Sequence, residues 1–305
     1  MTPVDAVLIA GPTASGKSHA ALGLAEAIGG TIVNADSMQV YREARVLTAR
    51  PSIEDMTRAP HALYGHVSVH DAYSAGRYQD DAAKTLALVR AMGRIPIFVG
   101  GTGLYFAALT EGLAEIPSIP AAVREAARKK LDAIGVGALH AELATRDPET
   151  ASRLRPSDPQ RVLRAYEVLE ATSLPLALWQ TRMGKPVLDG LRVAKFVLDV
   201  PRPELRERIE TRFKAMLADG AQKEAAALKG LEPALPAAKI LGLRELRGLA
   251  AGEIEQAEAF RLAVTATRQF AKRQSTWFRN RMADWNWLPA QQSGNILPAM
   301  IAQVR

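Results

Sequence analysis

Eight residues, Gly11-Pro12-Thr13-Ala14-Ser15-Gly16-Lys17-Ser18, carry the most specific chemistry in this 305-residue chain. They follow an apolar run at residues 4–10 and lead into a helical pattern at residues 20–28. That strand–loop–helix setting is the one in which such a pattern cradles phosphate. Glycines let successive backbone N–H groups turn toward one anion, and the positive end of the next helix faces the same point. Lys17 reaches a phosphate as a compact charge, and the Ser18 hydroxyl is suited to Mg2+ shared with phosphate oxygens. Gly11, Thr13, Ala14, Ser15, Gly16, Lys17 and Ser18 are therefore the candidate phosphate-binding residues. A glycine-rich turn without a ligand is the alternative, and the flanking strand and helix argue against it.

Residues 31–36 read as a second buried strand, ending on Asp36. In an α/β sheet the ligand crevice lies outside the carboxyl ends of the strands, so Asp36 is expected to face the phosphate loop. A lone Asp in such a place is commonly a turn or cap residue. Here Ser37, Gln39 and Tyr41 follow in a run rich in hydrogen-bonding groups, which favours a functional role. Residues 95–99 read as another buried strand, ending in Gly100-Gly101-Thr102-Gly103. An ATPase or GTPase usually ends that strand with a carboxylate for Mg2+. The Thr102 hydroxyl and the amides of a glycine turn suit a bound diphosphate better than a hydrolytic water, so ordinary nucleotide hydrolysis is disfavoured. Arg208 and Arg212 stand four apart on a helical stretch at 203–220, a spacing that fits a diphosphate clamp and a pair of surface arginines equally well. His61, His66 and His70 fit no common zinc spacing and read as hydrogen-bonded or surface histidines.

The elements that must position these groups define an α/β chain with a P-loop NTPase-like parallel sheet core. Between residues 120 and 179 strand patterns stop and the periodicity is helical, with Asp158 as the cap and Pro159 in the first turn of one helix. The helical insertion is placed at 120–189, and the core at 1–119 and 190–305. A chain of this length buries a substantial core. It lacks cysteine, so disulfides and thiol chemistry are excluded. No long uncharged apolar run predicts a membrane span, and no leader is expected, so a cytoplasmic protein with no membrane partner is anticipated; a monomer is expected. The net charge of +7 permits a polyanionic partner. Residues 259–283 sharpen this, for they hold Arg261, Arg268, Lys272, Arg273, Arg279 and Arg281 with no Asp or Glu. A solvated helix normally mixes both signs. Arg153, Arg155, Arg161 and Arg164 give the insertion a basic side that fits a solvated face or a nucleic acid equally well.

Taken in order, the phosphate loop, Asp36-Ser37-Met38-Gln39-Val40-Tyr41, Thr48-Ala49-Arg50-Pro51 and Val99-Gly100-Gly101-Thr102-Gly103-Leu104-Tyr105 resemble the bacterial tRNA dimethylallyltransferases. So do Asp158-Pro159-Gln160-Arg161, Arg208-Ile209-Glu210-Thr211-Arg212-Phe213 and Thr267-Arg268-Gln269-Phe270-Ala271-Lys272-Arg273-Gln274. The resemblance implies transfer of a dimethylallyl group from dimethylallyl diphosphate to N6 of the adenosine beside the anticodon, in tRNAs that read U-initial codons. It implies Asp36 as the catalytic carboxylate, with Thr102 and Arg212 assisting, Arg208 on the diphosphate, and Mg2+ as the cofactor. It also implies contacts with the tRNA anticodon stem-loop at Asp36, Ser37, Met38, Gln39, Thr102, Arg124, Gln160, Arg161, Arg164, Lys239, Gly242 and Arg244. The basic stretch adds Arg268, Lys272 and Arg273. The chain departs from the family at Leu47, where Gly is usual, at Arg50 for Lys, at Ala62 for a second His, and at Leu243 for an aromatic. A small-molecule P-loop kinase, which can also bind ATP at such a loop, and a non-catalytic RNA-binding switch are the competing classes. The first lacks its strand-end carboxylate, and the second leaves Asp36 without a task.

Overall fold

A computed structural model describes residues 4–290 and 293–304, which form two compact units, 111–186 and the remainder. In the larger unit β1 (Ala6–Ala10), α1 (Lys17–Ile28), β2 (Thr31–Asn34), α2 (Ile53–Arg58), β3 (His61–Ala62), α3 (Ala75–Ala91), β4 (Pro96–Gly100) and α4 (Gly103–Thr110) follow in order. The chain then passes through α5 (Ala121–Arg146), α6 (Pro148–Ser152), α7 (Pro159–Thr172) and α8 (Leu176–Trp179) of the smaller unit. It returns as β5 (Val193–Asp199), α9 (Arg202–Ala218), α10 (Ala221–Ala227), a 3-10 turn (Pro236–Lys239), α11 (Leu243–Ala250), α12 (Gln256–Arg281), β6 (Asn286–Pro289) and α13 (Ser293–Val304).

The sheet order is β3-β2-β4-β1-β5-β6, and every pairing is parallel. Residues 6–10 and 96–100 are fully apolar or glycine and fully buried, as strands covered on both faces must be. Because Ala10 pairs with Gly100, and Asn34 with Val99, the carboxyl ends of β1, β2 and β4 finish level. Residues 11–18, 35–39 and 100–103 therefore leave the sheet along one edge. This register is what turns three separate sequence motifs into one site.

In the smaller unit, Leu143, Ala165, Val168 and Leu169 form one apolar cluster, and Ala127, Leu139, Val162 and Tyr166 a second. Asp158 accepts a hydrogen bond from the Arg161 N–H at 3.1 Å, and Pro159 occupies the first turn of α7. Asp147, buried, caps α6 in the same way at Thr150. The helical periodicity put the insertion at 120–189, whereas the compact unit spans 111–186. The reason lies in backbone pairing that side-chain periodicity does not report. Glu115 N–H donates to the Arg182 carbonyl and Gly184 N–H to the Leu113 carbonyl, so the two connecting strips zip to each other. Among the described residues no helix is long and apolar enough to cross a membrane.

Candidate active site

The phosphate loop is held in an unfavourable backbone shape. Gly16 has φ 87°, which glycine adopts readily, but Ala14 has φ 64°, a left-handed conformation that costs a residue with a Cβ roughly 1 kcal/mol or more. A Cβ on Gly11 would stand 2.6 Å from Ser15 Oγ, so the loop's close fold requires glycine there. Lys17 is buried and its Nζ donates to the Pro12 carbonyl at 3.3 Å. Burial lowers its pKa to about 8; the Asp36 charge opposes that shift and the Arg212 charge adds to it. Ser15 Oγ is buried without a partner among the described residues, and Ser18 is exposed at the start of α1.

These two hydroxyls are hard oxygen donors, suited to a cation shared with phosphate oxygens. Among the described residues, no group of three or more His, Cys, Asp or Glu could hold a metal ion alone. The histidines have other partners or face solvent: His61 Nδ1 lies 2.8 Å from the Ala59 carbonyl, His66 Nε2 lies 3.3 Å from Tyr73 Oη, and His70 is exposed.

Asp36 follows β2 and is oriented by its neighbours. Its N–H donates to Asn34 Oδ1, and its own Oδ1 accepts from the Met38 N–H, both at 2.9 Å. Its other oxygen, Oδ2, lies 3.3 Å from where a Cβ on Gly101 would sit. The carboxylate is close enough to bias Lys17, Arg212, Tyr64 and Tyr105; both tyrosines are pushed far up, chiefly by burial. Burial also lowers the pKa of half-buried Arg212, against the pull of Asp36. Thr102 Oγ1 accepts from the Ser37 N–H at 2.9 Å and donates to Ser37 Oγ at 3.1 Å, tying the glycine turn to the Asp36 loop. A Cβ on Gly100 would stand 2.0 Å from the Ala35 carbonyl oxygen, and one on Gly103 only 2.3 Å from the Trp277 ring. This turn is glycine-rich because backbone and an aromatic ring approach it closely.

The two arginines of the anticipated clamp divide in role. Arg212 lies within electrostatic range of Lys17 and Asp36, while Arg208 is tied to protein: it pairs with Glu204 and donates to the carbonyls of Ser15 at 3.4 Å and Ala290 at 2.9 Å. Gln39 turns both amide hydrogens inward, to the Thr48 and Ala49 carbonyls at 2.9 and 2.8 Å. Arg50 reaches the Tyr41 carbonyl at 3.0 Å and packs over Gly65, where a Cβ would stand 1.6 Å from its Nη1. Leu47, buried, lines a cavity of about 30 Å³ with Ile209, Arg212 and Phe213.

The basic residues beyond the sheet edge are partly neutralised by acids that are remote in sequence. Arg268 pairs with Glu210 at 3.0 Å and Arg279 with Asp199 at 3.5 Å, so the one-signed stretch is not one-signed in space. Lys272 and Arg273 are exposed on α12. Gly242, with φ 81°, starts α11 beside Phe213, and Lys239 ends the 3-10 turn before it; Arg244 is exposed on the first turn of α11. Within the smaller unit Arg124, Gln160 and Arg161 are exposed and Arg164 is half-buried; burial lowers the Arg164 pKa, Glu167 opposes that, and nearby Arg124 adds to it.

Two supporting residues had no role in the sequence reading. Glu224 accepts hydrogen bonds from three consecutive backbone N–H groups, Arg45, Val46 and Leu47, at 2.8–2.9 Å. Gln274, buried on α12, accepts from the Thr13 N–H at 2.9 Å and donates to the Gly101 carbonyl at 2.8 Å. Separations of 177–179 residues for Glu224, and of 261 and 173 for Gln274, leave no local pairing signal for either. The one signal in the sequence is that Gln274 closes one of the motifs that carry the family resemblance.

The family model described as "IPP transferase" matches residues 39–281, and "Isopentenyl transferase" matches residues 4–71. A tRNA dimethylallyltransferase of Rhodopseudomonas palustris is 50% identical over 298 residues, covering 97% of this chain and 93% of that protein. One from a Bradyrhizobium species is 52% identical over 291 residues, covering 94% and 95%. Among solved structures, the full-length tRNA isopentenylpyrophosphate transferase of Bacillus halodurans aligns with TM-score 0.69 at 29% identity, over 98% of this chain and 95% of that one. A eukaryotic dimethylallyltransferase acting on tRNA shares the fold, with TM-score 0.79 at 24% identity over 95% and 75%.

Proposed function

This chain belongs to the IPP transferase family, and from that premise we propose that it transfers a dimethylallyl group from dimethylallyl diphosphate to N6 of the adenosine 3′ of the anticodon in tRNAs reading U-initial codons. Diphosphate is the other product. The observation that carries this reading is the meeting of one carboxylate, Asp36, with two buried or half-buried cations, Lys17 and Arg212, at the carboxyl edge of the sheet.

That pairing suits a nucleophilic substitution at an allylic carbon. The exocyclic amine of adenine is a weak nucleophile, and Asp36 Oδ2, the oxygen not used by Met38, orients it and accepts its proton as the C–N bond forms. As the C–O bond breaks, negative charge grows on the diphosphate. Lys17, Arg212 and the loop N–H groups at 14 and 16–18 receive that charge. The Thr13 and Ser15 N–H groups are already engaged, by Gln274 and by the Pro12 carbonyl. Mg2+ held at Ser18 would add charge stabilisation to the leaving group. Arg208 contributes at one remove, by fixing the Ser15 carbonyl and thus the loop. The adenosine must leave its stack to reach Asp36, which favours an anticodon loop over a duplex. Lys239, Arg244, Lys272, Arg273 and, in the smaller unit, Arg124, Gln160, Arg161 and Arg164 are the proposed RNA contacts. The protein acts as a monomer in the cytoplasm.

Incubation with labelled dimethylallyl diphosphate, Mg2+ and unmodified tRNA tests this directly, with label expected in RNA. Phosphorylation of a small metabolite from ATP, with no label in RNA, would support the kinase reading instead. That reading is disfavoured because β4 ends in glycine and supplies no carboxylate for Mg2+.

A further inference from the structure

Gln274 touches both halves of the site and is part of neither. It is 6% exposed, and its side-chain amide spans from the phosphate loop to the glycine turn, accepting from Thr13 N–H and donating to the Gly101 carbonyl. The reversed amide would set two donors together and two acceptors together, so this orientation is the one the partners require. Beyond Gly101 the connection continues. Thr102 N–H donates to the Ala35 carbonyl, Thr102 Oγ1 accepts from Ser37 N–H, and Asp36 lies between those two residues. A Cβ on Gly101 would stand 2.1 Å from Gln274 Nε2 and 3.3 Å from Asp36 Oδ2, so the amide and the carboxylate flank the same glycine. One turn on, Trp277 covers Gly103 from the same helix. The phosphate loop and the glycine turn follow neighbouring strands, β1 and β4, but no described side chain other than Gln274 hydrogen-bonds to both.

We propose that Gln274 is a positioning residue that fixes the leaving-group cradle in register with the turn that holds the carboxylate and the target amine. The inference rests on the prenyl-transfer reading above. Its physical basis is distance. Bond formation requires the reacting atoms within about 3–3.5 Å, and a displacement of about 1 Å can cost on the order of a hundredfold in rate. A residue that sets the spacing between two half-sites, without touching either substrate, should act on turnover more than on the affinity of each substrate alone.

The test uses the full-length protein, labelled dimethylallyl diphosphate and an unmodified anticodon stem-loop RNA. Gln274→Met keeps the volume and removes both hydrogen bonds. Its turnover at saturation is expected to fall roughly thirtyfold to a hundredfold, with affinity for each substrate alone near wild type and the melting temperature lowered, because a buried donor and a buried acceptor lose their partner. Gln274→Glu supplies a signature that loss of packing would not produce. The ionised carboxylate still accepts from Thr13 N–H but cannot donate to the Gly101 carbonyl, whereas the protonated acid can do both. The ratio of this variant's turnover to that of wild type is therefore expected to rise as pH falls. Unchanged turnover in Gln274→Met, or a ratio for Gln274→Glu that is flat with pH, would overturn the inference while leaving the reaction in place. If wild type itself puts no label into RNA, the reaction falls and the inference with it.

Discussion

The charge state of Lys17 is sensitive to pH. Burial favours its neutral form, so the free enzyme holds the proton only up to pH about 8, against 10.5 for an unburied lysine. The sign follows directly. Between those two values the folded protein is deprotonated where the unfolded chain is protonated, so the protonated lysine is a cost to folding that is fully present below pH 8 and relieved as pH rises toward 10.5. Binding an anion has the opposite requirement. The KM for dimethylallyl diphosphate is expected to climb as pH rises through about 8, and Lys17→Arg should flatten that climb; initial rates across a pH series check it. Asp36→Ala is expected to abolish label transfer while leaving RNA affinity within a few-fold, measured by filter binding. Normal turnover in that variant would remove the carboxylate from the mechanism. The placement of Lys17 and Asp36 was legible because each sits at a motif or strand end. The inward-facing amide of Gln39 and the backbone tethers of Arg208 were not, since a polar side chain's partners are chosen by the fold.

At the scale of elements, the loop after β2 depends on a helix far along the chain. Glu224, at the start of α10, receives three backbone N–H groups from residues 45–47, so its removal leaves half-buried donors without partners. Glu224→Ala is expected to destabilise the protein by about 2–3 kcal/mol, readable as a shift in the denaturant midpoint, and Glu224→Gln by less. The α12 helix has a second kind of duty. Its exposed Lys272 and Arg273 are placed to meet phosphates, whereas Arg268 is already compensated by Glu210. Replacing Lys272 and Arg273 with Gln should weaken RNA binding and reduce the slope of log affinity against log salt by about one for each phosphate no longer neutralised. Arg268→Gln should change that slope less. Titrations at several salt concentrations separate the two outcomes.

At the scale of the whole molecule, the sequence by itself determined the strands that carry the motifs, the parallel sheet, the helical insertion and which residue types stand at those strand ends. These are local properties: apolar runs, glycine where a backbone must bend or be approached, a carboxylate at a strand terminus. It also determined the resemblance that named the reaction, because the motifs survive in order along the chain. Tertiary structure alone decided the rest. It brought Asp36 within electrostatic reach of Lys17 and Arg212, since level strand ends follow from sheet register and not from spacing in the chain. It cancelled part of a basic run with Glu210 and Asp199, and it drew the smaller unit at 111–186 through backbone pairing. It also joined the phosphate loop to the glycine turn through Gln274, bonding it to a residue 261 positions away. Hydrogen bonds and ion pairs depend on distance in space, and where two segments are remote in sequence only the packed fold sets that distance.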